Sequence, residues 1–168
     1  MPSFRSTLVT ALVSVFGVAS VAHAVLAPAK ASQLVTVYST GSCSIPGFNP
    51  SASATFSQMI RSDGSIVPFV VPPKQVFVMV DATLTISGQV AADSMLAIVA
   101  LGTPTGGAPV GARFESAASG GTMTAEFEFP AGIAVKPGTL LCAEILNFTH
   151  GNGFGTTATA HGYFAPDK

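Results

Sequence analysis

QVFVMVDATLTIS, residues Gln75–Ser87, reads as one long β-strand. Val76, Val78, Val80, Ala82, Leu84 and Ile86 alternate along one face, while Asp81, Thr83 and Thr85 take the other. A two-residue period of this kind belongs to an extended strand with one buried side. Phe77 and Met79 make the first half apolar on both faces, so that half is expected to lie centrally in a sheet or under a cover. Pro72-Pro73, just ahead, cannot donate to a ladder and marks a corner.

Outward from this stretch the same signature recurs in shorter pieces. Strands are expected at Gln33–Ser39, Thr55–Arg61, Ile66–Val71, Met95–Leu101, Ala112–Ala117, Met123–Phe129, Thr139–Phe148 and Thr157–Phe164. Met95–Leu101 is an unbroken apolar run, which suits a strand buried on both sides. Ala112–Phe129 reads as a hairpin turning at Ala118-Ser119-Gly120-Gly121. That register sets Arg113 against Glu126 and sends Phe114 and Phe127 into the core; a tighter one would oppose Glu115 and Glu126, which like-charge repulsion disfavours. Lys136-Pro137-Gly138 marks a further turn. Beyond the first residues, no segment carries a capped 3.6-residue period. About nine short strands imply an all-β fold, a single antiparallel β-sandwich of jelly-roll-like or immunoglobulin-like form.

Composition agrees. Charged residues make up 9% of the 168-residue chain, against the quarter common in globular proteins, and the net charge is −1. No basic field exists to hold a polyanion, so nucleic acid is excluded as a partner. Gly and Ser occupy surface that charge usually covers, and such a neutral surface suits either a plain secreted domain or one that self-associates.

Residues 1–24 read as a signal peptide: Arg5 supplies the positive region, Leu8–Val21 the apolar stretch and Ala22-His23-Ala24 the cleavage site. Residues 25–32 form a leader and residues 33–168 the domain. No membrane span is expected after cleavage, and no cysteine follows the site to carry a lipid. The expected location is secreted: extracellular, periplasmic or at the cell surface. There, Cys43 and Cys142 are expected to pair, with two separate buried thiols as the alternative. The chain-entropy model gives a bridge over about 100 residues at most ~4.7 kcal/mol.

Candidate chemistry is sparse. Glu126 and Glu128, two apart on a strand, share a face about 7 Å apart, and paired carboxylates can act as acid and base in glycoside hydrolysis. The alternative is a solvated face with Arg113 as partner. Together with Glu144 they carry the reading of a secreted polysaccharide hydrolase. His150 and His161 carry that of a small metal-binding domain, with Glu144 or Asp167 as further ligands, but the spacing supports no metal set. A thiol nucleophile paired with His150 would be silenced by oxidation, and no G-x-S-x-G elbow is present. Asn147-Phe148-Thr149 fits the N-glycosylation pattern. Thr157, Thr159, His161 and Tyr163 form a stripe on one strand face that suits a sugar or a partner's polar edge, or simply faces solvent. The expectation is thus a secreted, non-enzymatic domain without cofactor or metal, binding a protein or glycan partner or joining a surface assembly.

Overall fold

The computed structural model describes residues 34–46, 52–87, 94–103, 105–116, 122–146 and 155–168. Residues 1–32, where a signal peptide and leader are expected, and Asn147 and His150 lie outside them. Nine strands follow in sequence: β1 (Leu34–Ser39), β2 (Ala52–Ile60), β3 (Ile66–Pro68), β4 (Gln75–Ser87), β5 (Ser94–Thr103), β6 (Gly106–Ser116), β7 (Met123–Val135), β8 (Leu140–Leu146) and β9 (Gly155–Pro166). Among the described residues there is no helix, and none long and apolar enough to cross a membrane.

The strands form one antiparallel sheet in the order β6-β5-β8-β2-β1-β9-β4-β7, with β3 added beside β2. The sheet nearly closes on itself in a barrel-like form, because its two ends approach. A Cβ placed on Gly111 of β6 would meet the Phe127 and Phe129 rings of β7 at 3.0–3.1 Å. The bend falls on β2, whose first residues, Ala52–Thr55, pair with β8, while Phe56 and its successors pair with β1. The interior is apolar throughout. Val37, Phe56, Phe77, Leu84, Val99 and Leu141 meet there from five different strands. Phe77 is flanked by Phe69 at 5.1 Å and Phe164 at 5.8 Å between ring centroids.

The Gln75–Ser87 strand has the expected bounds, but its alternation breaks in the middle. Phe77 and Met79 point into the core, as do Ala82, Leu84 and Ile86, whereas Val80 is 37% exposed. Relative to β9, Val80 is one residue too many: Met79 pairs with Gly162 and Asp81 with His161. A bulge of this kind inverts the faces. Val76, Val78 and Val80 therefore do not share the face of Leu84, contrary to the simple alternation. Val76 and Val78 pack outside the barrel with Tyr163 and Ala165.

The expected Ala112–Phe129 hairpin is also corrected. β6 pairs along β5, with Arg113 opposite Ala97, and β7 pairs along β4, with Glu126 opposite Thr83. The true hairpin is β5–β6, turning between Thr103 and Gly106. Its Gly-rich start, GGAPVG, lies between the strands expected from the sequence and is itself strand. Gly102 and Gly107 face each other across it, and a Cβ on either would come within 2.6 Å of Ile45. The glycines make the seat for that side chain. β5 itself is buried on both faces, since Ala97, Ile98, Val99 and Ala100 are all nearly inaccessible.

Cys43 and Cys142 lie at disulfide distance, with Cα atoms 6.0 Å apart. The bridge fastens the segment after β1 to the outside of β8, where Cys43, Ile45, Ile98, Ala100 and Cys142 form a second apolar cluster.

Candidate functional site

β9 runs between β1 and β4, with β7 beyond, so the outward residues of four strands form one surface. Val35 and Val37 of β1 and Ala158 and Ala160 of β9 point inward, which turns Thr36, Tyr38, Thr157, Thr159 and His161 outward. The registers arrange these in rows. Thr36, His161, Asp81 and Glu128 make one; Tyr38, Thr159, Thr83 and Glu126 make the next; Thr157, Thr85 and Thr124 make the third. In the third row the Thr85 and Thr124 hydroxyls lie 3.4 Å apart.

His161 Nδ1 lies 2.6 Å from Asp81 Oδ1, with both side chains substantially exposed. That contact orients the ring and leaves Nε2 free to meet a ligand. Beside it opens a pocket of about 520 Å³, lined by Leu34, Ile60, Val80, Arg61, Ser62 and His161. Leu34, Ile60 and Val80 are exposed apolar side chains, 49%, 37% and 37% accessible. The bulge that inverts β4 is what turns Val80 out to this pocket.

Of the stripe expected on the last strand, Thr157, Thr159 and His161 stand exposed, while Tyr163 is 7% accessible. It packs with Val76, Val78 and Ala165, and burial pushes its phenol above the ordinary tyrosine range. Glu126 and Glu128 share the outer face of β7 and are exposed. Their ladder neighbours are Thr83 and Asp81, and Arg113 is not among them. No local pattern shows that Thr36, Tyr38, Asp81, Thr83, Thr85 and Thr124 join the stripe. The polar alternation of Asp81, Thr83 and Thr85 was visible, but only the strand order puts it against β9.

Glu144 is separate from this face. On β8, between Ser53 of β2 and Ile98 of β5, it lies on the outer side but is fully buried. Among the described residues neither carboxyl oxygen has a hydrogen-bond partner, and burial pushes the carboxyl above the ordinary range. Of the two candidate histidine ligands only His161 is within the described residues. Asp167 lies 3.8 Å from Lys136, an exposed ion pair worth little. No protein-family model matches the chain, and no curated protein matches it.

Proposed function

We propose that the protein is a secreted, non-enzymatic β domain that binds a glycan through the outer face of β1, β9, β4 and β7. The observation that carries this reading is the junction of two surfaces: rows of Thr, Tyr and carboxylate side chains, and an exposed apolar pocket at the His161–Asp81 pair. A saccharide offers both faces this arrangement needs. Its hydroxyls donate to Asp81, Glu126 and Glu128 and exchange hydrogen bonds with the threonines, while its C–H face rests on Ile60 and Val80. Lack of charge over most of the chain suits a neutral ligand.

The absence of an enclosed acid–base pair on this face favours binding over hydrolysis, since Glu126 and Glu128 stand open to solvent. The reading includes cleavage after Ala24, export, and a sandwich-like flattening of the barrel in which β2 serves both layers. A disulfide-bonded small β domain supports the extracellular address. A glycan array probed with the wild type and with Thr159→Arg tests the site, because a long cation in the middle row blocks it without touching the core. Binding that the variant loses at least tenfold is expected. No binding by the wild type, or equal binding by the variant, overturns the proposal. N-terminal sequencing of the exported protein should begin at Val25.

A further inference from the structure

We propose that Cys43, Cys142 and Glu144 form a redox-gated metal site, in which reduction of the disulfide lets two thiolates and one carboxylate hold a single Zn²⁺. One ligand atom from each of the three residues lies within 4.8 Å of the other two, and all three residues are buried. Tetrahedral zinc, with Zn–S about 2.3 Å and Zn–O about 2.1 Å, sets its ligands roughly 3.5–3.8 Å apart. Small side-chain movements therefore suffice once the sulfurs are no longer bonded.

One observation points to a cation here, and a second keeps its ligands together. The first is Glu144 itself: a fully buried carboxyl with neither oxygen hydrogen-bonded among the described residues calls for an explanation, and an ion is one of the few available. Around it the cluster is apolar, comprising Ile45, Ile98 and Ala100, with Leu96 against it, and supplies no positive charge. The second is how the Cys43 segment is held. The Ser53 hydroxyl accepts from Cys43 N–H at 2.9 Å and donates to the Cys43 carbonyl at 2.8 Å. Thr55 Oγ1 donates to the Ser42 carbonyl at 2.8 Å, and backbone bonds join Thr40 and Gly41 to Thr55. These contacts do not depend on the S–S bond, so Cys43 remains over Cys142 when the bond opens.

The chemistry balances with a dithiol as reductant. It supplies two electrons and two protons, the Cys43–Cys142 bond breaks to two thiols, and the dithiol closes to its own disulfide. Zinc then displaces one proton from each thiol and one from the Glu144 carboxyl, and a water completes four-coordination. Oxidation reverses the sequence and expels the metal. The same three residues thus alternate between a covalent staple and a metal staple.

The test uses full-length exported protein, reduced with dithiothreitol, freed of it by gel filtration under argon, and titrated with Co²⁺ and Zn²⁺. Reduced wild type is expected to bind one equivalent, with a thiolate-to-cobalt charge-transfer band that Zn²⁺ abolishes; the oxidised protein should show none. Glu144→Gln should weaken binding at least tenfold, and Cys142→Ser should remove the band. Circular dichroism follows folding in parallel: if reduction loosens the domain, Zn²⁺ should restore its melting transition in wild type but not in Glu144→Gln. No band in the reduced wild type, no restoration by Zn²⁺ of a loosened domain, or equal affinity in Glu144→Gln overturns the proposal.

Discussion

Gly162 sits where β9 passes between β1 and β4, opposite Val35 on one side and Met79 on the other. A Cβ added there would lie 2.3 Å from the Val78 carbonyl oxygen and 2.6–2.7 Å from two atoms of the Phe77 ring. Neither obstacle yields easily. The carbonyl belongs to the backbone of β4, which is paired on both sides, and the Phe77 ring is fully buried between Phe69 and Phe164. Overpacking of a tight core costs about 1–3 kcal/mol, and an immovable neighbour places this site at the upper end. Alanine regains about 0.5–1 kcal/mol of chain entropy over glycine in a strand. The net expectation for Gly162→Ala is a loss of about 2–2.5 kcal/mol, or a melting temperature lower by roughly 6–10 °C for a domain of this size. Gly155→Ala on the same strand is the control, since its Cβ would stand 3.5 Å from Ser87 Oγ, an ordinary contact. Its change should stay within about 0.5 kcal/mol. Urea unfolding with equal m-values gives both numbers. If the two variants fall within about 0.5 kcal/mol of each other, the β4–β9 register and the packing built on it are wrong.

Replacing both cysteines by alanine should destabilise the oxidised domain by at most about 4.7 kcal/mol, the loop-closure figure for a bridge spanning 99 residues; urea titration with and without the bridge measures it, and a loss below about 1 kcal/mol would mean the Ser53 and Thr55 contacts already fix the segment. The disulfide-bonded protein should also carry a pH signature from Glu144. Its folded-state carboxyl is raised by burial, so folding stability is greatest below the unfolded value of about 4.3 and falls as pH rises through the folded value. Melting temperatures from pH 4 to pH 8 should therefore drop more steeply for wild type than for Glu144→Gln, and parallel curves would count against a buried ionising carboxyl. Glu144→Leu, which removes the unpartnered group, is expected to stabilise the domain by about 1–3 kcal/mol at pH 7.

Most strand positions were legible because β-branched and aromatic runs between Pro and Gly have few other solutions. β4 was read with its observed bounds and β5 as buried on both sides. Illegible were features set by partners far away in sequence. The Val80 bulge exists only relative to the two partner strands, β9 and β7, and nothing local marks it except the apolar Phe77 and Met79. GGAPVG falls outside the strands expected from the sequence, since glycines weaken a strand; their reason is Ile45, some sixty residues earlier. The Arg113–Glu126 pairing failed because a short turn was available, while β6 was already committed to β5. The candidate site divides in the same way. The threonines of β9 were visible as a stripe, but their neighbours on β1, β4 and β7 depend on strand order, which no local pattern encodes. Glu144 sat between apolar residues in the sequence without showing that it would be sealed.

The position of β9 has a further consequence, for timing. The last strand in sequence lies in the interior of the sheet order, with β1 and β4 as its two neighbours, and Val35 meets Gly162 across nearly the whole length of the domain. The sheet therefore cannot be completed in the order in which its strands emerge from the ribosome, and pairings this remote in sequence form slowly. A nascent chain lacking β9 has two unpaired edges in the middle of its architecture. Under the export proposed above, that delay would keep the polypeptide loose until β9 is made and leave closure of the barrel to the far side of the membrane.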